Sequence, residues 1–159
     1  MCLAAIMGLI MNGLSVQAQE KNKHGTDQIP TKVLDGLKAK FPKPEIDKWT
    51  KEKEGEVFMY DIEFKQGGKK IEADIKEDGT LDNWEKVIPI NDLPAAVKMT
   101  VDKKYPKASL QEVSQTVLVK DGRDQVEGYE ILLRTNDKKD VEITVATDGK
   151  ILEDSTTKK

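Results

Sequence analysis

Apolar residues in this chain first recur every fourth position and then every second, and this happens twice. Ile29, Val33, Leu37 and Phe41 step by four, as do Leu93, Val97, Val101 and Tyr105. That spacing places one apolar stripe on each of two helices. A proline stands near the first helical position of each (Pro30, Pro94). Another follows the last (Pro42, Pro106), where a missing amide hydrogen and a restricted preceding residue end the helix. Beyond each helix Phe58, Tyr60, Ile62 and Phe64, then Ile71, Ala73 and Ile75, alternate with polar residues. Tyr129, Ile131 and Leu133, then Val141, Ile143 and Val145, do the same. Alternation of this kind predicts strands with one buried face.

The parallel is a repeat. Ile29-Pro30 and Phe41-Pro42 return as Leu93-Pro94 and Tyr105-Pro106, and the buried strand positions return with small changes in loop length. Turn signals divide each copy: Glu54-Gly55, Gly67-Gly68 and Asp78-Gly79, then Asp121-Gly122, Asn136-Asp137 and Asp148-Gly149. The expected fold class is α+β: two tandem units, each a helix plus a four-stranded antiparallel meander, with the helices packed on one face of the sheet. A half of roughly 60 residues is marginal alone, so the two sheets are expected to join edge to edge or pack. The other sheet face is then open to solvent or to a partner.

Residues 2–16 are almost wholly apolar, small or uncharged, and Val16-Gln17-Ala18 offers small residues at the two positions read before cleavage. We expect a signal peptide over 1–18, a flexible polar leader over 19–28, and repeat units over 29–90 and 91–156. The apolar run is broken at Asn12, Gly13 and Gln17, against the roughly 20 apolar residues a spanning helix needs, so no stable membrane insertion is expected after cleavage. No Lys or Arg precedes Lys21; the positive leader usual before such a run is missing, and the first methionine reads as a late one. The expected location is periplasmic or secreted.

Charge and composition narrow the function. Charged residues make up 35% of the 159, yet the net charge is only −3, so no long-range field attracts nucleic acid or anionic lipid. The single cysteine, Cys2, lies in the segment expected to be removed, and the single histidine, His24, in the leader. Neither a thiol or serine nucleophile with its base nor a zinc site has its parts. No glycine-rich phosphate loop opens a helix. No catalytic residues and no cofactor are expected. Carboxylates alone leave only chemistry of the glycoside-hydrolysis kind.

Residues 60–80, YDIEFKQGGKKIEADIKEDGT, resemble the strand pair of PepSY-like domains, and Tyr129-Glu130-Ile131 through Asp148-Gly149-Lys150 repeats it. Two such units after a signal peptide resemble the PepSY-like proteins grouped with the β-lactamase inhibitor protein. The resemblance implies an exported, non-enzymatic domain with helices on one side of a concave antiparallel sheet and an inhibitory or ligand-binding role. It brings no catalytic residues, and no inhibitory loop is recognisable.

A two-residue turn at Gly67-Gly68 sets Glu63 opposite Glu72 and Asp61 opposite Asp74, four carboxylates on one polar face. Directly opposed like charges are unfavourable. Diagonal relief by Lys65 on Glu72 and Lys70 on Glu63 makes the face an ordinary solvated surface; without it, the acids serve a cation or a basic partner. In the second copy Arg134 opposes Asp140 and Thr144 replaces an acid. Trp49, flanked by Lys48 and Lys51, and Trp84 fall in the first and last strands of the first copy and become interface anchors if exposed, although a strand tryptophan is more often buried. The partner-binding candidates are therefore Trp49, Trp84, Asp61, Glu63, Glu72 and Asp74. A protein partner from the envelope or outside the cell leads. Calcium on the acidic face is the alternative, although the loop at Asp78, Gly79 and Asp82 lacks EF-hand spacing. A structural envelope protein without specific ligand is a third.

Overall fold

The computed structural model describes residues 26–157. The expected signal segment, its cleavage point and His24 lie outside the described residues. Two ten-residue helices are present, α1 (Thr31–Lys40) and α2 (Ala95–Lys104). Each starts behind its proline, Pro30 or Pro94. Each ends where the backbone N–H of Phe41 or Tyr105 donates to the carbonyl of Leu37 or Val101, both at 2.8 Å. The following prolines end the helix, and Lys43 and Lys107 then turn the chain with φ of 58° and 66°. No helix among the described residues is long and apolar enough to cross a membrane.

The strands are β1 (Glu45–Glu54), β2 (Val57–Gln66), β3 (Lys69–Lys76), β4 (Leu81–Val87), β5 (Ser109–Lys120), β6 (Arg123–Arg134), β7 (Asp140–Ala146) and β8 (Ile151–Asp154). They form one eight-stranded sheet in the order of the chain, with every neighbouring pair antiparallel. This corrects the expected class. The protein is mostly β, one continuous sheet carrying two short helices, and not two tandem helix-plus-four-strand units. The junction decides it: β4 pairs with β5 from Asn83↔Leu118 to Val87↔Ser114. Two separate meanders would leave both strands as edges with unpaired amides and carbonyls, and pairing removes both edges.

Both helices cover the same side. Trp84, which pairs with Ala73 on one flank, pairs with Val117 on the other, so the face under α1 continues across the junction. Val33 and Leu37 of α1 sit in a cluster with Tyr60, Ile62, Phe64, Ala73 and Ile75. Val97 and Val101 of α2 sit with Val113, Ile131, Leu133, Ile143 and Val145. Phe64, Leu37, Ile62 and Ile131 are fully enclosed, and burial of such a side chain contributes about 1.5–3 kcal/mol. The helices approach the sheet's turns closely. A Cβ added to Gly36 of α1 would stand 2.1 Å from the carbonyl oxygen of Gly79 in the β3–β4 turn. In the second half Thr100 Oγ1 of α2 donates to the carbonyl of Gly149 at 2.7 Å.

Several turn expectations are met in detail. Gly67 and Gly68 both take positive φ (57° and 79°), as do Asp121 and Gly122 (51° and 70°), the pairing that a type I′ hairpin needs. At Asn136-Asp137 the left-handed residue is instead Lys138, at φ 61°.

Candidate functional site: a carboxylate face

The second face of the sheet carries the four acidic candidates, and no described element lies over it. Strand alternation puts Asp61 and Glu63 of β2 on this face, and the glycine turn fixes the register that sets Asp61 opposite Asp74 and Glu63 opposite Glu72. The next ladder extends the row, with Glu72 opposite Glu85 and Asp74 opposite Asn83. Across the junction Glu85 meets Thr116, Ser114 meets Glu130, and Glu130 meets Thr144. The central positions are crowded: Thr116 is 1% exposed, Asn83 5% and Glu85 9%.

Few hydrogen bonds satisfy these acids. Asn83 Nδ2 donates to Asp74 Oδ2 at 2.9 Å, and Thr116 Oγ1 donates to Glu85 Oε1 at 3.0 Å. Thr50 Oγ1 reaches Asp61 Oδ2 only at 3.5 Å. Asp61 Oδ1 and Glu130 Oε2 are buried with no hydrogen-bond partner. Burial disfavours the charged form, and neighbouring carboxylates disfavour it further. Asp74 is accordingly pushed up to about 7, chiefly by burial, with Glu72 adding repulsion against the favourable bond from Asn83. Burial first and then the Glu72 charge raise Asp61; burial and then Glu63 raise Glu72; burial and then Glu72 raise Glu85. Glu130 is raised by burial and then by Glu85. One continuous set of acids therefore holds protons at a pH where surface carboxylates have lost them.

The lysines do not relieve it as expected. Glu63 is ion-paired with Lys48 of β1. Lys65 turns to Asp47 at 3.3 Å and Lys70 to Glu112 at 3.9 Å. The expected diagonal pairs of Lys65 with Glu72 and Lys70 with Glu63 are replaced by these. Arg134 and Asp140 do form a bidentate pair, at 2.7 and 3.0 Å.

The tryptophans are elsewhere. Trp49 pairs with Ile62 and Trp84 with Ala73, so both project to the helix side, away from the acids. Trp49 is 7% exposed, stacks obliquely on Tyr60 at 6.1 Å, and its indole N–H is buried without a partner. Trp84 is half-buried, edge-on to Phe41 at 5.6 Å, with Lys40 and Lys86 near its ring at 5.6 and 5.7 Å. Neither is an exposed anchor beside the carboxylates; Asp61, Glu63, Glu72 and Asp74 are brought together without them.

Glu85 and Glu130 were not among the sequence candidates. Glu85 was readable: counting outward from Asp78-Gly79 sets it opposite Glu72. Glu130 stands in the repeat where Asp61 does, Tyr129-Glu130-Ile131 against Tyr60-Asp61-Ile62, but its nearness to Glu85 depends on the junction. No three or more His, Cys, Asp or Glu among the described residues converge to hold a metal ion; the acids lie in a row along the ladders, which suits an extended ligand better than a point ion. Two shallow grooves, of about 340 and 540 Å³, lie elsewhere, one beside Lys32 and Phe58 and one between α1 and the β5–β6 turn.

Comparison with known proteins gives the fold its relatives. The family model described as "Putative beta-lactamase-inhibitor-like, PepSY-like" matches twice, over residues 16–82 and 58–153. A "putative periplasmic" protein of Bacteroides eggerthii shares the fold with a TM-score of 0.62 at 16% identity, over 79% of this chain and 87% of that one. A DUF2874 family protein of Bacteroides uniformis gives 0.61 at 16%, over 82% and 92%. A BLIP-like protein of Bacteroides fragilis gives 0.55 at 20%, over 82% and 89%. No curated protein matches the sequence. Two overlapping family matches that together span nearly all the described residues, on a sheet that these solved structures share, place the chain in the PepSY-like, β-lactamase-inhibitor-like family.

Proposed function

We propose that this is an exported, non-enzymatic binding module of the periplasm or cell exterior that recognises a protein partner on the open face of its sheet. The observation that carries the reading is the face itself: crowded, desolvated and polar, with buried oxygens of Asp61 and Glu130 left unpartnered and no described element above it. Burying polar groups without partners is unfavourable, and a partner that supplies donors removes the penalty. The periplasmic description of the Bacteroides eggerthii structure and the apolar, small-residue segment ahead of the described residues support export. The relationship to inhibitor-like proteins supports binding over catalysis.

A photo-crosslinking side chain tests the reading. Placed at Leu132, which is 39% exposed on the open face, it is expected to give discrete protein adducts in a native envelope preparation. Placed at Met99, which is 71% exposed on α2, it is not. Adducts from both positions alike, or from neither, contradict the reading.

A further inference from the structure

The charges on the open face are too one-sided to be indifferent to the partner's chemistry. Along its central ladders, like charges oppose one another twice in succession, Glu63 to Glu72 and Glu72 to Glu85, an arrangement that opposes folding unless something offsets it. Glu85 is nine-tenths buried and has a hydrogen bond on one oxygen only, from Thr116. Glu130 Oε2 is likewise unpartnered. The other charged groups on this face include Lys48, Glu52 and Glu54 on β1, Lys65 on β2, Lys70 and Lys76 on β3, Asp82 on β4, Glu112 on β5, Glu142 on β7 and Glu153 on β8. Lys48, Lys70 and Lys76 lean on Glu63, Glu112 and Asp82 respectively; Lys70 and Lys48 also act on Glu72 at longer range, but among the described residues no ion pair is closed on Glu72, Glu85 or Glu130.

We propose that the open face docks an extended cationic polypeptide segment, with lysine or arginine side chains seated along Glu72, Glu85 and Glu130, and that docking releases protons from these carboxyls. The inference rests on the reading of this face as the partner surface and adds the partner's chemistry and its control by pH. Each ammonium or guanidinium supplies donors to the unpartnered oxygens and favours the charged carboxylate, so the acids that hold protons in the free protein lose them on binding. The sheet's ladders run as a row, and the segment lies along that row across β3 to β6.

The test uses three labelled ten-residue peptides, all-lysine, all-glutamate and serine-glycine, titrated at pH 7 in two buffers of different ionisation enthalpy. The all-lysine peptide is expected to bind with net release of at least one proton and the other two not to bind. The triple variant Glu72→Gln, Glu85→Gln, Glu130→Gln is expected to weaken binding at least tenfold; it relieves like-charge opposition, so its fold is retained. A control with the same number of carboxyls replaced, Asp35→Asn, Asp92→Asn, Asp102→Asn, alters exposed residues outside the face and is expected to bind as the parent does. Equal loss in both variants reduces the effect to net charge and overturns the proposal. So does binding without proton release, which means that only already ionised surface acids are engaged. If no peptide binds while crosslinks still form from Leu132, the partner surface stands and its cationic ligand falls. If those crosslinks are absent too, both fall.

Discussion

The two faces of this one sheet are made from the same strands, alternate residue by alternate residue, and obey opposite rules. Under the helices, the alternating positions of β2 and β3 are Tyr60, Ile62, Phe64, Ile71, Ala73 and Ile75, all buried and packed. One residue along each strand, the other face has Asp61, Glu63, Glu72 and Asp74, crowded yet uncovered. The first face is filled by its own chain and yields stability. The second is left with polar groups that strand neighbours enclose but do not satisfy. What differs is not burial, since Glu85 at 9% is as buried as Ile71 at 8%, but whether burial is matched by a suitable neighbour.

Several measurements break or sharpen that contrast. The largest effect is expected from Phe64→Ala, which opens a cavity beneath α1 and should lower unfolding free energy by about 3–5 kcal/mol. Leu132→Ala on the open face should stay within about 0.5 kcal/mol. Denaturant titration of both gives the ratio directly. Gly36→Ala pushes a methyl into the Gly79 carbonyl and should cost about 1–3 kcal/mol, read as a fall in melting temperature.

Asp154 provides a counterpart to the raised acids. It is 4% exposed but accepts from Tyr105 Oη at 2.7 Å, Lys104 Nζ at 2.8 Å and the Thr156 backbone N–H at 2.9 Å. Despite the opposing effect of its burial, the bonds from Lys104, Thr156 and Tyr105 hold its carboxyl far below the usual range. Its contribution is present above the ordinary aspartate value and is lost as pH falls below that value. Asp154→Asn should therefore lower stability by about 1–2 kcal/mol at pH 7 and by less at pH 3, as thermal melts at the two values would show. A small effect, comparable to that of Leu132→Ala, should follow Asp124→Asn, whose half-exposed pair with Lys40 is worth about 0–1 kcal/mol.

The helix stripes, the strand alternation and the Asp61/Asp74 and Glu63/Glu72 register were legible because each depends on short-range rules: period, proline stops and a glycine turn of fixed length. The union of the sheet was legible only as one of two options, joining edge to edge or packing, and the strands that join were not. The pairing of Asn83 with Leu118 and of Val87 with Ser114 spans the whole of α2, and no local signal states which strand closes an edge across such an insertion. That one long-range contact turned an expected pair of units into a single mostly-β sheet, and it brought Glu85 to Thr116 and near Glu130. The tryptophans show the opposite limit: their lysine neighbours suggested exposure at Trp49, but strand parity, set by Ile62 opposite, turns the indole inward. Asp154 carried no sequence signal, since its partners Lys104 and Tyr105 stand at the C-terminal end of α2, far away in the chain.

The most direct test of the account is the melting temperature of the free protein from pH 5 to pH 9, for the parent and for the Glu72→Gln, Glu85→Gln, Glu130→Gln variant. The folded state holds protons on these acids that the unfolded chain has released above about pH 4–5. Their stabilising contribution is thus fully present below that value and is lost as pH rises toward the raised values, about 7 for Glu85 and about 9 for Glu130, with Glu72 raised as well. The parent is predicted to melt several degrees lower at pH 9 than at pH 5, and the variant to show a much flatter profile and a higher melting temperature at pH 9. A parent whose stability is flat or rises over that range, or a variant with the same slope, would contradict the claim that this face buries unsatisfied acids.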